Sequence, residues 1–159
     1  MATGDSAGQS WTARLAELGL SLPPVAAPVA AYVPAVRTGD HVYTSGQLPF
    51  VDGALGLAGK VGAEVAAEDA KAAARIAALN ALAAVDDLVG IDNLVRIVKV
   101  VGFVASAEGF TGQPGVINGA SELLGEVFGE AGVHARSAVG VAELPLGAPV
   151  EVEIVAEVR

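Results

Sequence analysis

Two charged residues stand where side chains of their type can do chemistry. Arg136 opens an otherwise apolar stretch, Arg136 to Ala142, and Glu151 stands near the start of another, Val150 to Val158. A guanidinium presents parallel N–H groups that match a carboxylate bidentately. A carboxylate can position and deprotonate water. Each has a plainer reading: Arg136 as a solvated strand end, Glu151 as one of the outward carboxylates with Glu153 and Glu157. Lesser candidates accompany them. Tyr43-Thr44-Ser45-Gly46-Gln47 ends a strand with polar groups and a glycine whose backbone amide can meet a ligand. Asn118 sits early in a helix among apolar neighbours, and Tyr32 lies among prolines and alanines. Taken singly, base rates favour a structural role for each.

Composition narrows the chemistry. The 159 residues fit one domain. The chain has no cysteine, which excludes disulfides, thiolate metal sites and thiol nucleophiles. Its two histidines, His41 and His134, argue against a His-rich zinc site. With a net charge of −9 and nine scattered Lys and Arg, no basic stripe exists to track phosphates, so nucleic acid is not the expected partner. The phosphate-binding loops, GxSxG and HExxH are all missing.

At 53% hydrophobic residues the chain is apolar for a soluble protein. No run reaches the roughly 20 residues of a membrane span. Pro23, Pro24, Pro28 and Pro34 interrupt one candidate, and Lys99 and Glu108 bracket the other. Met1 to Ser10 lacks the basic and apolar regions of a signal peptide. The expectation is a cytoplasmic protein whose apolar excess is buried between subunits.

The elements that must hold these residues follow from pattern. A short amphipathic helix or docked arm is expected over Trp11 to Leu20, then a proline-studded extended segment to Pro34. Val29 to Val36 reads as an edge strand whose Ala31–Val36 part pairs with His41–Ser45 across the turn at Gly39-Asp40. Asp52-Gly53 marks another turn. The alanine-rich stretch Ala66 to Val89 is the firmest helix, closed by Gly90. Leu94 to Ala105 is a strand apolar on both faces past Lys99, so both faces must be covered there. A second helix runs from about Gly115 to Phe128, and strands follow at Arg136–Ala142 and Val150–Val158. The order β-β-α-β-α-β-β predicts an α/β (α+β) domain, two helices packed on one face of a mixed or antiparallel sheet. If the last two strands form a hairpin, Arg136 lies opposite about Val155, too far from Glu151 to cooperate within one chain. Cooperation then requires a subunit boundary.

Together the dispersed residues form a pattern. Thr44-Ser45-Gly46-Gln47-Leu48-Pro49, Asn118, Ala135-Arg136-Ser137, Leu144-Pro145 and Val150-Glu151-Val152-Glu153, with Tyr32 ahead of Ser45, resemble the RidA (YjgF) family from about Val29 to Val158. The resemblance implies residues 26–159 as the family domain and 1–25 as an added tail and short helix. It implies a chorismate-mutase-like fold, a homotrimer with clefts between subunits, and hydrolysis of 2-imino and enamine acids to 2-keto acids and ammonia without metal or cofactor. Arg136 would hold the substrate carboxylate and Glu151 would orient water. Ser45, Gly46, Tyr32, Asn118 and Ala138 would line the cleft. His134 stands where the family usually has proline or alanine, and Ala138 where it often has cysteine, which marks a divergent subgroup. Three other readings accompany the deaminase: a metabolite-binding trimer without turnover, an interaction protein in line with the family's translation-inhibitor and endoribonuclease labels, and a chorismate mutase. The charge weighs against the RNA role, and a lone convincing cation weighs against the mutase.

Overall fold

The computed structural model describes residues 10–25, 27, 28 and 30–159. The expected polar tail lies outside them apart from Ser10, as does Val29, where the expected edge strand begins. The elements are α1 (Trp11–Glu17), β1 (Ala35–Thr38), β2 (His41–Thr44), β3 (Phe50–Val51), β4 (Ala54–Leu55), α2 (Ala67–Val89), β5 (Leu94–Ala105), α3 (Gln113–Phe128), β6 (Ala135–Val141) and β7 (Val150–Val158). Five strands form one sheet in the order β1-β2-β7-β5-β6, and β3–β4 is a separate small hairpin. Only the β5–β6 pair in the sheet is parallel. The mixed sheet with both long helices on one face is the predicted α/β architecture of chorismate-mutase-like type.

Strand periodicity divides the two faces. On β7, Val150, Val152, Ile154, Ala156 and Val158 are buried beneath the helices, while Glu151, Glu153, Val155 and Glu157 point the other way. The helices lie close because small residues let them. Ala70, Ala73, Ala74, Ala77 and Ala81 are buried along α2, and a Cβ on Gly119 of α3 would run into the Lys71 backbone carbonyl. On β5, a Cβ at Gly102 would lie 2.5 Å from the Ile117 side chain, so glycine leaves α3 room to seat. Ile117, Leu123 and Leu124 become fully buried, each contributing about 2–3 kcal/mol.

Three expectations need correction. The first strand is Ala35–Thr38 rather than Ala31–Val36, because the two-residue turn at Gly39-Asp40 pairs Thr38 with His41 and zips from there. Pro34, with no N–H to give, marks its start. The last two strands are not a hairpin. β5 lies between them and pairs with β6 on one side and β7 on the other. A twelve-residue strand, apolar on both faces past Lys99, has the length to serve both neighbours, and α3 supplies the crossover that a parallel pair needs. Finally, α3 starts at Gln113, since Pro114 is tolerated in a first helical turn.

The N-terminal arm is docked. Ser10 Oγ accepts from the Ala13 amide and caps α1. Trp11 Nε1 donates to the Leu94 carbonyl at 2.7 Å, and its ring meets Phe128 edge-on at 4.9 Å. The Thr12 amide and hydroxyl both donate to the Asp92 carboxylate. The amide bond is the main reason that this carboxyl is held below its usual range.

Candidate functional site

The predicted residues fall into two groups on opposite faces of the sheet. The first surrounds Glu151. Its neighbour across β5 is Phe103. The segment after β2 runs beside it, since Gln47 and Val152 exchange backbone hydrogen bonds at 2.8 and 3.0 Å. That pairing brings Gly46 against the carboxylate: a Cβ there would lie 2.5 Å from Glu151 Oε1. The Ser45 hydroxyl donates to the Val33 carbonyl at 2.6 Å, and its amide donates to Pro34. Ser45 therefore ties the proline segment to the sheet, and Tyr32 on that segment lines the same cleft as Gly46, Pro145 and Glu151. Burial raises the Glu151 carboxyl above the usual carboxylate range, and the Glu153 charge pushes it the same way. A proton acceptor raised in this way is poised nearer neutral pH.

The Glu151 cleft encloses about 70 Å³, room for a few waters but well under the roughly 300 Å³ of a usual ligand pocket. A groove of about 700 Å³ lies elsewhere, between Pro23–Val25, the β3–β4 hairpin and Ile76, Leu79 and Asn80 of α2. None of the predicted residues lines it.

The second group surrounds Arg136. It pairs with Val100, whose side chain is buried on the helix face, so Arg136 reaches toward α3. Nη1 donates to Asn118 Oδ1 at 2.8 Å and to Ser121 Oγ at 3.2 Å, and Nη2 donates to the Pro114 carbonyl at 3.4 Å. All three acceptors are neutral. Among the described residues no carboxylate pairs with this guanidinium, and its Nε–H meets no acceptor. Nε and Nη2 share one edge of the guanidinium, and Nη2 keeps a second hydrogen. That edge is the fork which grips a carboxylate side-on. Ala138, two residues along the strand on the same side, packs against the core.

Arg136 and Glu151 do not meet in one chain. β5 separates their strands, the register sets Arg136 level with Ile154, and the side chains leave by opposite faces. Sequence reasoning did not single out Ser121. Its signal was its place three residues after Asn118, on the same helical face. Sequence reasoning gives His134 no place in the site: it counts there as one of two histidines too few for a zinc site and as a departure from the family pattern. It holds Ser121: its Nε2 is 2.9 Å from Ser121 Oγ, and its Nδ1 is 2.6 Å from the Gly132 carbonyl.

The face of the sheet bearing Glu151 is uncovered. Val36, Tyr43 and Val139 are 52%, 45% and 44% exposed on it, with Phe103 half-buried between them. Among the described residues no group of three or more His, Cys, Asp or Glu is placed to hold a metal ion. No helix among them is long and apolar enough to cross a membrane.

Comparison with known proteins agrees with this fold. A family model described as "YjgF/chorismate_mutase-like, putative endoribonuclease" matches residues 12–158. Protein TCP17 of Trypanosoma cruzi is 45% identical over 149 residues, spanning 92% of this chain and 93% of that protein. The crystal structure of Atu1372 from Agrobacterium tumefaciens, a protein of unknown function, superposes with a TM-score of 0.86 at 42% identity over 94% of this chain and 92% of that one. Escherichia coli TdcF with bound serine is more distant: TM-score 0.62, 26% identity, 87% of this chain and 94% of that one.

Proposed function

The chain belongs to the YjgF/chorismate-mutase-like family, and from that premise we propose that it hydrolyses small 2-imino or enamine acids to 2-keto acids and ammonia, in clefts between the subunits of a homotrimer. The observation that supports this reading best is Arg136, oriented by neutral acceptors, with its Nε–H and one Nη2 hydrogen left over and no carboxylate partner among the described residues. Serine bound to TdcF is a carboxylate-bearing small molecule of the same kind.

In the proposed reaction the substrate carboxylate docks on Nε and Nη2 of Arg136, which removes much of the orientational cost of reaction. Water held by Glu151 attacks the imine carbon. A C–O bond forms, the C=N π pair moves to nitrogen, and Glu151 takes the water proton. The tetrahedral adduct then collapses: Glu151 returns that proton to nitrogen, the hydroxyl proton follows it there through the same carboxylate, the C–N bond breaks, and ammonia leaves as the hydroxyl becomes the keto oxygen. Tyr32, Ser45, Gly46, Asn118 and Ala138 shape the walls. No cofactor takes part in this scheme, and the reaction belongs to the cytoplasm.

The small Glu151 cleft, the Arg136 fork on the opposite face and the uncovered apolar surface beside Glu151 favour a site completed by a neighbouring subunit. The test is ammonia release from freshly generated 2-iminobutanoate by wild type, Arg136→Ala, Glu151→Gln and a refolded equal mixture of the two variants. Each variant alone should be inactive. In the mixture about one quarter of clefts draw both native residues from different chains, and activity returns in that proportion. A mixture as dead as its components would refute the shared cleft. Equal activity of wild type and Arg136→Ala would refute the arginine site. A trimer that binds the carboxylate without turnover is the second reading, favoured by His134 and Ala138. Saturable binding of a 2-keto acid with no ammonia release would select it.

A further inference from the structure

We propose that His134 is a positioning residue for the carboxylate fork, acting on Arg136 through the Ser121 hydroxyl. This rests on the reading of Arg136 as a carboxylate clamp. The bonds run in one direction. The Gly132 carbonyl can only accept, so the ring nitrogen 2.6 Å away, Nδ1, carries the proton, a tautomer assigned from that partner. In the neutral ring Nε2 is then an acceptor, and the Ser121 hydroxyl at 2.9 Å donates to it. With its proton committed, Ser121 Oγ turns its lone pairs to the Nη1–H of Arg136 at 3.2 Å. Each donor has one acceptor, and the chain Arg136 to Ser121 to His134 to Gly132 closes on the backbone.

The backbone end is built to hold. Gly132 is buried against α3, where a Cβ would run into the Leu124 carbonyl. A serine inside a helix otherwise tends to donate back to the carbonyl four residues earlier, here that of Ile117. His134 offers a better acceptor outside the helix and keeps Oγ toward Arg136. Ser121 and Asn118 then both hold Nη1, which sets the guanidinium plane and leaves for ligand the Nε–H and the Nη2 hydrogen not given to the Pro114 carbonyl. Without the imidazole acceptor, Nη1 is held by Asn118 alone and the plane can turn.

The experiment titrates the full-length protein with 2-oxobutanoate and with its neutral amide, 2-oxobutanamide. His134→Phe keeps a ring of similar size and removes the acceptor. Its affinity for the carboxylate should fall about tenfold, the worth of one oriented hydrogen bond to a charged group, with amide affinity changed less than about twofold. His134→Gln, which restores an acceptor, should recover most of the loss. Ser121→Ala combined with His134→Phe should bind no more weakly than Ser121→Ala alone, because both remove one relay. Wild-type carboxylate affinity in His134→Phe, an equal loss for the amide, or multiplicative losses in the double variant would each overturn the relay. Arg136→Ala in the same titration separates the two readings. If it loses carboxylate affinity while His134→Phe does not, only the relay fails. If wild type does not bind the carboxylate, or Arg136→Ala binds it unchanged, both fail.

Discussion

Replacing Gly46 with alanine tests the placement of Glu151 without touching Glu151. The new Cβ would stand 2.5 Å from Oε1, 2.7 Å from Cδ and 3.0 Å from Cγ of that side chain, where ordinary contact begins at 3.4 Å. The obstacle is the end of a flexible side chain, so the carboxylate must withdraw by about 1 Å while the backbone stays. A displacement of that size at a reacting group costs about 100-fold in rate. Stability should barely change. Gly46 is not among the residues with positive φ, and alanine in a compatible backbone gains about 0.4–1 kcal/mol by narrowing the unfolded ensemble, which offsets the local crowding. The assay pairs ammonia release from 2-iminobutanoate with thermal melting. We expect kcat to fall about 100-fold and the melting temperature to stay within about 3 °C. A variant with wild-type turnover would refute the role of Glu151 in holding water. A melting temperature lowered by much more would refute the argument that only the carboxylate yields.

Further outcomes follow from other contacts. Arg136→Lys loses the planar fork but keeps the charge, and kcat/KM should drop at least about 100-fold; near-wild-type turnover would remove the bidentate clamp. The raised Glu151 carboxyl gives a pH signature. Activity that needs it ionised should rise with pH through a midpoint above the ordinary carboxylate range, and Glu151→Gln should abolish that limb. The native state holds this proton more tightly than the unfolded chain, so its stabilising effect is full below the ordinary carboxylate value and is lost as pH rises through the folded one. Glu151→Gln should therefore raise the melting temperature at neutral pH more than at acid pH. Gly119→Ala forces a methyl onto the Lys71 carbonyl and should cost about 1–3 kcal/mol by overpacking, read as a lowered denaturation midpoint.

The long elements were legible because each carries its own signal. The alanine run that predicts a helix from Ala66 yields α2 from Ala67, and the β-branched run from Leu94 to Ala105 yields β5 as read. Pairing partners were not legible. A short loop around Pro145 resembles a hairpin connection, and nothing local in β6 or β7 announces that β5 will enter between them. That outcome depends on the long-range packing of α3, where Gly102 makes room for Ile117. The site followed the same rule. Motif positions singled out Gly46, Glu151, Asn118 and Arg136 as lining one cleft, but their division into Gly46 with Glu151 and Asn118 with Arg136 comes from which elements lie side by side. The Ser121–His134 link was hidden, since it needs the tight turn at Gly132 to bring the imidazole back over α3.

The docked arm bears on how unfolding of this protein is observed. Trp11 is the sole tryptophan, and it reports from the seam between α1, Phe128 and the start of β5. Its emission thus senses release of the arm first and says little about either half of the cleft. A fluorescence transition that precedes the loss of helical ellipticity would describe an arm lifting from an intact sheet, and a stability read from that curve alone would be assigned to the wrong part of the molecule.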